Sequence, residues 1–137
     1  MTRTLTLEGD ITAVDTATNL TAQGSVTAPS RQVPSGVTRV KAIFGSVATD
    51  AAAAGEGIIF LRLTGAAVKN GNQTLMIGAV ANIAVQSGAD GSQSDFNLFS
   101  YDGCDIAVQA GNNIDVQAEM TGVDTGTVRV VATLIFA

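Results

Sequence analysis

Short runs in which apolar and polar residues alternate recur from one end of the chain to the other, bounded by glycine, asparagine, aspartate or proline. Alternation of period two is typical of β-strands, and no stretch keeps the helical period with a cap at both ends. We therefore predict an all-β protein. Its strands are expected approximately at residues 2–7, 11–14, 20–28, 37–47, 57–63, 74–85, 96–101, 106–110, 114–120 and 127–136.

The connecting segments contain residues that favour tight reversals of the chain. Asn70-Gly71, within segment 69–72, tolerates the positive φ of a hairpin turn, and segments 88–92 and 111–113 are similar in composition. We interpret all three as hairpin-like turns. The alanine-rich stretch 48–57 is predicted to be either one helical turn or a plain loop, because it is too short to stand alone as a helix.

The length of the chain, 137 residues, suits a single hydrophobic core and is too short for two ordinary ones. Pro29 and Pro34 bracket a polar loop that separates an N-terminal part of lower apolar content from a denser region. We therefore expect one domain overall. Residues 1–36 would form an N-terminal arm or edge strands, and residues 37–137 would form a β-sandwich core.

Several predicted strands are apolar on both faces. In strand 127–136 the face opposite the core positions turns apolar toward the chain end, and strand 57–63 behaves in the same way. A two-sheet sandwich gives each strand one inner face, so the additional apolar side chains need another cover. We predict a subunit interface as that cover, with the N-terminal arm folded across one sheet as the alternative. The candidate interface residues are Ile58, Phe60, Val131, Thr133 and Ile135.

The composition narrows the range of partners. Charged residues make up only 14% of the chain, and surfaces poor in charge often lie inside a protein interface. The net charge is −5 and the basic residues are scattered, so we expect no direct nucleic-acid binding. There is no apolar run of about 18 residues and no signal-peptide pattern, so we expect neither a transmembrane segment nor an export signal.

Enzymatic chemistry has little support in the sequence. The chain contains no histidine, which removes the usual general base and the commonest metal ligand. The segment 123–127 resembles the Asp-Thr-Gly loop of aspartic proteases, in which Asp124 would be the catalytic carboxylate. That family needs a flap and a second half after the loop, whereas an ordinary hairpin turn explains the segment here. We therefore expect no enzyme activity, no catalytic residue and no cofactor.

Two further features of the sequence resemble a cation site and a reactive thiol. Asp90, Ser92, Ser94 and Asp95 alternate loosely like a calcium loop but lack the bidentate glutamate and central glycine that specify one. We predict no specific metal site there and leave a weak cation site open. Cys104 is the only cysteine, and the flanking Asp102 and Asp105 would raise the pKa of its thiol, which predicts an inert, buried or half-buried side chain.

About eight β-runs, turns rich in glycine and asparagine, a surface poor in charge and a closing strand 126–136 with an apolar end characterise residues 37–136. In these features the region resembles the single jelly-roll coat proteins of icosahedral viruses and phages. The resemblance implies a jelly-roll form of the antiparallel sandwich with about eight main strands. It also implies a capsid subunit of the virion, which forms a shell by homo-oligomeric packing, with other structural subunits as further partners.

One departure from that family concerns the genome. Many coat proteins carry a basic N-terminal arm, but residues 1–36 contain only Arg3 and Arg31 as basic residues. The resemblance therefore implies that something else contacts the nucleic acid. The alternative reading of the whole chain is a β-sandwich adhesion, fibre or ligand-binding module outside the cell or at its surface.

The fold prediction can be checked by circular dichroism of the purified protein. Because helical periodicity is absent, we expect a β-type spectrum with less than about one fifth helix. A strongly helical spectrum would contradict the all-β assignment.

Overall fold

The computed structural model describes residues 3–12, 16–22, 32–49, 54–68, 75–85, 96–125 and 127–137. Within these residues every regular element is a β-strand, which confirms the all-β prediction. In chain order the strands are β1 (Arg3–Ile11), β2 (Thr18–Asn19), β3 (Thr21–Ala22), β4 (Arg39–Thr49), β5 (Ala54–Thr64), β6 (Leu75–Val85), β7 (Phe96–Ala107), β8 (Asp115–Thr125) and β9 (Val128–Phe136).

The strands form two antiparallel sheets. Sheet I has the order β3-β1-β9-β4-β7, and sheet II has the order β2-β8-β5-β6. Four long strands build sheet I and three build sheet II, while β2 and β3 have only two residues each. The last strand lies inside sheet I, where β9 pairs with β1 along Arg3–Ile11 on one side and with β4 on the other.

The inward faces of the two sheets share one hydrophobic core, so the architecture is a β-sandwich. Strict alternation in β9 buries every second residue from Val128 to Phe136, and β5 and β8 supply the opposite wall. The core side chains are mainly aliphatic, in keeping with an aromatic content of 4%. The largest fully buried side chains are Leu7, Ile11, Leu20, Ile43, Ile59, Leu61, Leu63, Ile114, Met120, Leu134 and Phe136.

The N-terminal segment contributes to this core. Leu7 and Ile11 on β1, Leu20 beside β2, and Val33 in the following loop have at most 1% exposure. β1 lies in the plane of sheet I and pairs with β9 over its whole length.

Two strand predictions were wrong in their boundaries. Segments 96–101 and 106–110 were predicted as separate strands, but a single strand, β7, runs from Phe96 to Ala107. The pairing of β4 with β7 shifts register between Val40 and Ala42, and Gly103 and Asp105 have positive φ. This bulge breaks the sequence pattern without ending the strand. In the alanine-rich stretch, β4 continues to Thr49 and β5 already begins at Ala54.

The prediction of three hairpin-like turns also needs correction. β5 and β6 are antiparallel neighbours, although segment 69–72 between them lies outside the described residues. Segment 111–113 instead connects β7 of sheet I with β8 of sheet II. Gly111 takes φ +83°, and its N–H donates to the carbonyl of Val33. Segment 88–92 lies outside the described residues, and the strands that flank it belong to different sheets.

Gly45 on β4 is a position where a side chain has no room. A Cβ there would collide with the carbonyl oxygen of Val131 and would lie 2.8 Å from Cζ of Phe99. Phe99 is the cross-strand partner of Gly45 on β7, and it is 8% exposed. Because Gly45 has no side chain, the inward-facing ring of Phe99 can fill the space beside it.

We predict that Gly45→Ala lowers the free energy of unfolding by about 1–3 kcal/mol, the usual cost of overpacking a close contact. Urea unfolding of both proteins at one concentration measures the change. Ser46→Ala is the matched control, because Ser46 is half-buried on the opposite face, and its effect should stay within about 0.5 kcal/mol. Equal stability of the two variants would contradict this account of Gly45.

Candidate functional site

The five candidate interface residues lie on two different surfaces. Val131, Thr133 and Ile135 alternate with the buried residues of β9 and therefore lie on the outer face of sheet I. Ile58 and Phe60 alternate with buried Ile59 and Leu61 of β5, on the outer face of sheet II. Because the two sheets pack against each other by their inner faces, the structure does not bring the two groups together.

One of the five candidate residues is exposed and the other four are half-buried. Ile58 is 36% exposed, while Phe60, Val131, Thr133 and Ile135 are half-buried by their neighbours. On sheet I, Thr133 and Thr6 face each other across β9 and β1, with 2.9 Å between their hydroxyl oxygens. The single chain thus covers these outward side chains in part but not completely.

The most exposed large apolar side chains on sheet I are not among the five predicted interface residues. Phe44 is 41% exposed, Phe96 is 62% exposed and Leu98 is 76% exposed. We call these three residues the apolar cluster. All three lie on the outer face, since they alternate with the buried Ile43 of β4 and Phe99 of β7.

The apolar cluster shares the outer face of sheet I with the predicted residues of β9. The pairing register places Leu98 opposite Ser46 and Ser46 opposite Val131, while Phe44 lies opposite Thr133. A sequence signal for the cluster existed, because Phe96 and Leu98 share one parity of β7 and Phe99 lies on the other. β7 therefore has apolar residues on both faces, which is the pattern that pointed to β5 and β9.

Charged groups lie at both ends of this outer face. At one end, the guanidinium of Arg129 contacts Oε1 of Glu8 at 2.9 Å and Oδ1 of Asp10 at 3.0 Å. The hydrogen bond to Asp10 is the main cause that raises the pKa of Arg129, and the charges of both acids add to it. No ion pair among the described residues lies between Val131 and the opposite end of the face.

At the other end, Asp105 in the β7 bulge binds two basic side chains of β4. Its Oδ1 accepts from Nζ of Lys41 at 2.6 Å, and its Oδ2 lies 3.3 Å from Nη1 of Arg39. The hydrogen bond from Lys41 is the largest cause that lowers the pKa of Asp105, and the charges of Arg39 and Lys41 act in the same direction. These contacts join the bulge of β7 to the neighbouring strand β4.

On the outer face of sheet II, the described side chains of β5 and β8 include more polar contacts. Arg62 and Glu119 form an ion pair there, and Nε2 of Gln117 donates to Oδ1 of Asn19 at 2.9 Å. Phe60 lies directly opposite Glu119 in the pairing of β5 with β8. Ile58 is the only large apolar side chain of sheet II that is at least 36% exposed among the residues with described side chains.

The described part of the chain has no cluster of potential metal ligands. No group of three or more cysteine, aspartate or glutamate side chains is placed to hold a metal ion there. Asp124 lies in strand β8, and the interpretation of its loop as a hairpin turn was wrong, because β8 and β9 belong to different sheets. The candidate cation residues Asp90, Ser92, Ser94 and Asp95 lie outside the described residues.

Cys104 lies in the β7 bulge and is half-buried, as predicted. Its Sγ is 3.8 Å from the carbonyl oxygen of Val40, to which the thiol donates. Burial is the main cause that raises the pKa of this thiol, and the charges of Asp105 and Asp102 raise it further. The predicted direction is confirmed, although burial contributes more than the two aspartates.

No family model matches the chain, and no curated protein matches it. The described residues also include no helix with the length and apolar character that a membrane crossing requires.

We predict that Lys41→Gln raises the pKa of Asp105 toward its ordinary value, because the main group that favours the carboxylate is removed. Since the folded-state pKa of Asp105 is lowered, its stabilising contribution is present above the ordinary pKa and is lost as pH falls through the folded-state value. Carboxyl NMR titration measures the change. Arg62→Gln, on sheet II, is the control and should leave Asp105 unaffected; an unchanged Asp105 in Lys41→Gln would refute the assignment.

Proposed function

We propose that this protein is a structural subunit that assembles with copies of itself into a shell, in the manner of a single jelly-roll capsid protein. The observation that carries the proposal is the apolar cluster, which leaves two phenylalanines and a leucine exposed on one sheet of a chain otherwise rich in buried aliphatics. Side chains of this size are an unfavourable surface in water unless another molecule covers them.

The strand order supports the jelly-roll part of the proposal. With the short β3 set aside, the remaining eight strands pair first with last and so on inward, as β1 with β9, β2 with β8, β4 with β7 and β5 with β6. A jelly roll has this nested arrangement, since it is a long antiparallel ribbon wrapped into two sheets. Proteins with many unrelated functions have such sandwiches, so the fold supports the proposal but does not establish it alone.

The apolar surface is of ordinary size for a monomer, so its place on the sheet, between two groups of ion pairs, is what favours a protein partner. An aromatic side chain buries roughly 150–250 Å² when enclosed, so the apolar cluster exposes on the order of 300 Å² on one chain. The half-buried Val131 and Ile135 extend the same face. Between the two groups of ion pairs, these apolar side chains alternate with Ser46, Ser100 and Thr133. A mixed apolar and uncharged polar surface of this kind is compatible with a protein interface.

The charges support the expectation that something other than this subunit contacts a genome. Arg62 and Arg129 form ion pairs with carboxylates, and Arg39 and Lys41 share the single carboxylate of Asp105. The net charge of −5 disfavours contact with a phosphate backbone. The proposed shell is accordingly held together by contacts between proteins.

Size measurement and two matched variants test the proposal. We expect the wild-type protein to form large species by size-exclusion chromatography with light scattering, and closed particles in micrographs. Ile135→Lys places a charge on the outer face of sheet I beside the apolar cluster, so the variant should remain folded but elute as smaller species. A charge that loses water in an interface costs several kcal/mol, whereas one on an open surface costs little.

Ile58→Lys applies the same change to the outer face of sheet II and reports separately on that part of the predicted interface. Loss of assembly in Ile135→Lys alone would assign the contact to sheet I, and loss in both would assign contacts to both faces. A wild-type protein that stays monomeric at micromolar concentration, with Ile135→Lys unchanged in size and stability, would refute the proposal in favour of an adhesion or ligand-binding module.

A further inference from the structure

The dipeptide Asp102-Gly103 lies in the bulge of β7 and has no part in the proposed assembly. An aspartate followed by glycine is the pair most prone to an internal reaction of the backbone, because glycine has no side chain to hinder approach to its nitrogen. A regular strand slows this reaction by holding that nitrogen away from the carboxyl group. The reactivity of the pair therefore depends on the local backbone and on its surroundings.

The backbone at this pair departs from a regular strand. Asp102 is paired with Ala42 of β4, and the register then shifts, so that Gly103 is not registered with a residue of β4. Gly103 has φ +73°, in the left-handed region that glycine enters without steric cost. A bulge of this kind bends the strand and takes its extra residues out of the ladder. Gly103 is therefore outside the regular ladder between β4 and β7.

Both residues of the pair are open to solvent. The side chain of Asp102 and the backbone of Gly103 are exposed. A Cβ placed on Gly103 would meet no atom of the described residues within 4 Å. Water can therefore reach the reacting groups, and the space beside Gly103 leaves room for its backbone to move.

The two aspartates of the bulge differ in their contacts. Asp105 lies 2.6 Å from Nζ of Lys41 and 3.3 Å from Nη1 of Arg39, and the next residue is the β-branched Ile106. Among the described residues no ion pair is formed by Asp102, and its next residue is glycine. The structure therefore favours the backbone reaction at residue 102 and disfavours it at residue 105.

We propose that Asp102-Gly103 is a site of spontaneous modification, at which the folded chain forms a succinimide ring and then isoaspartate. In the first step the backbone nitrogen of Gly103 attacks Cγ of Asp102 and forms a C–N bond. The Cγ–OH bond of the protonated carboxyl group breaks, and its hydroxyl leaves with the amide proton as water. In the second step one water molecule opens the ring, and neither step needs an oxidant or a reductant.

The product depends on which carbonyl the water attacks. Attack at the side-chain carbonyl restores aspartate, whereas attack at the main-chain carbonyl of residue 102 gives isoaspartate. Isoaspartate adds one carbon atom to the backbone between Cα of residue 102 and the nitrogen of Gly103. The net charge is unchanged, but the bulge becomes longer. Carboxyl methyltransferases that act on isoaspartyl residues would recognise this product.

Incubation of the whole folded chain in water labelled with heavy oxygen tests the proposal, because each passage through the ring adds one labelled oxygen to residue 102. Mass spectrometry reads the label in a fragment that contains Asp102 but not Asp90, since Asp90-Gly91 is the same dipeptide outside the described residues. A synthetic peptide of residues 99–106 gives the rate without the fold. We expect the folded protein to react within about a hundredfold of the peptide, since a reaction that required global unfolding would be slower by roughly 10³-fold or more.

Asp102→Glu is the matched control, because it keeps the charge while the larger ring that glutamate would need forms far more slowly. This variant should take up no label at residue 102, and Asp105 should remain unlabelled in both proteins. Enzymatic methylation of the same fragment should appear in the wild type and be absent from Asp102→Glu.

Urea below the unfolding transition separates a reaction of the folded bulge from one of the unfolded chain. We expect the labelling rate at residue 102 to stay constant over this range, because the bulge reacts without opening of the sandwich. A rate that rises with the unfolded fraction, or one more than about a hundredfold below that of the peptide, would overturn the proposal.

Discussion

The insertion of β9 between β1 and β4 is the interaction on which the rest of the structure depends. It joins the first and last strands of the chain, and its five inward side chains, from Val128 to Phe136, are fully buried. Each large apolar side chain removed from water contributes roughly 1.5–3 kcal/mol, so this strand supplies a large share of the driving force for closing the sandwich. Without it, β1 would have no long partner in sheet I, since β3 pairs with only two of its residues.

Because β9 is the central strand of sheet I, it also determines which side chains form the middle of the outer face of that sheet. Its outward residues form the middle column of that face, with threonines of β1 on one side and Phe44 of β4 on the other. Arg129, at the start of β9, holds Glu8 and Asp10 at one end, while the bulge of β7 holds Arg39 and Lys41 at the opposite end. The few charged side chains of this face therefore form ion pairs at its two ends, and the middle of the face is uncharged.

The sequence by itself determined the all-β class, the sandwich and most long strands, because alternation of period two depends only on neighbouring residues along the chain. It also identified the two-faced character of β5 and β9, and hence Ile58, Phe60, Val131 and Ile135 as outward apolar residues. Only the tertiary structure decided that these residues lie on opposite surfaces, since sheet membership depends on pairings between strands far apart in sequence. The same long-range pairing decided that 111–113 crosses between sheets, that a bulge leaves β7 continuous, and that Phe44, Phe96 and Leu98 form one exposed cluster.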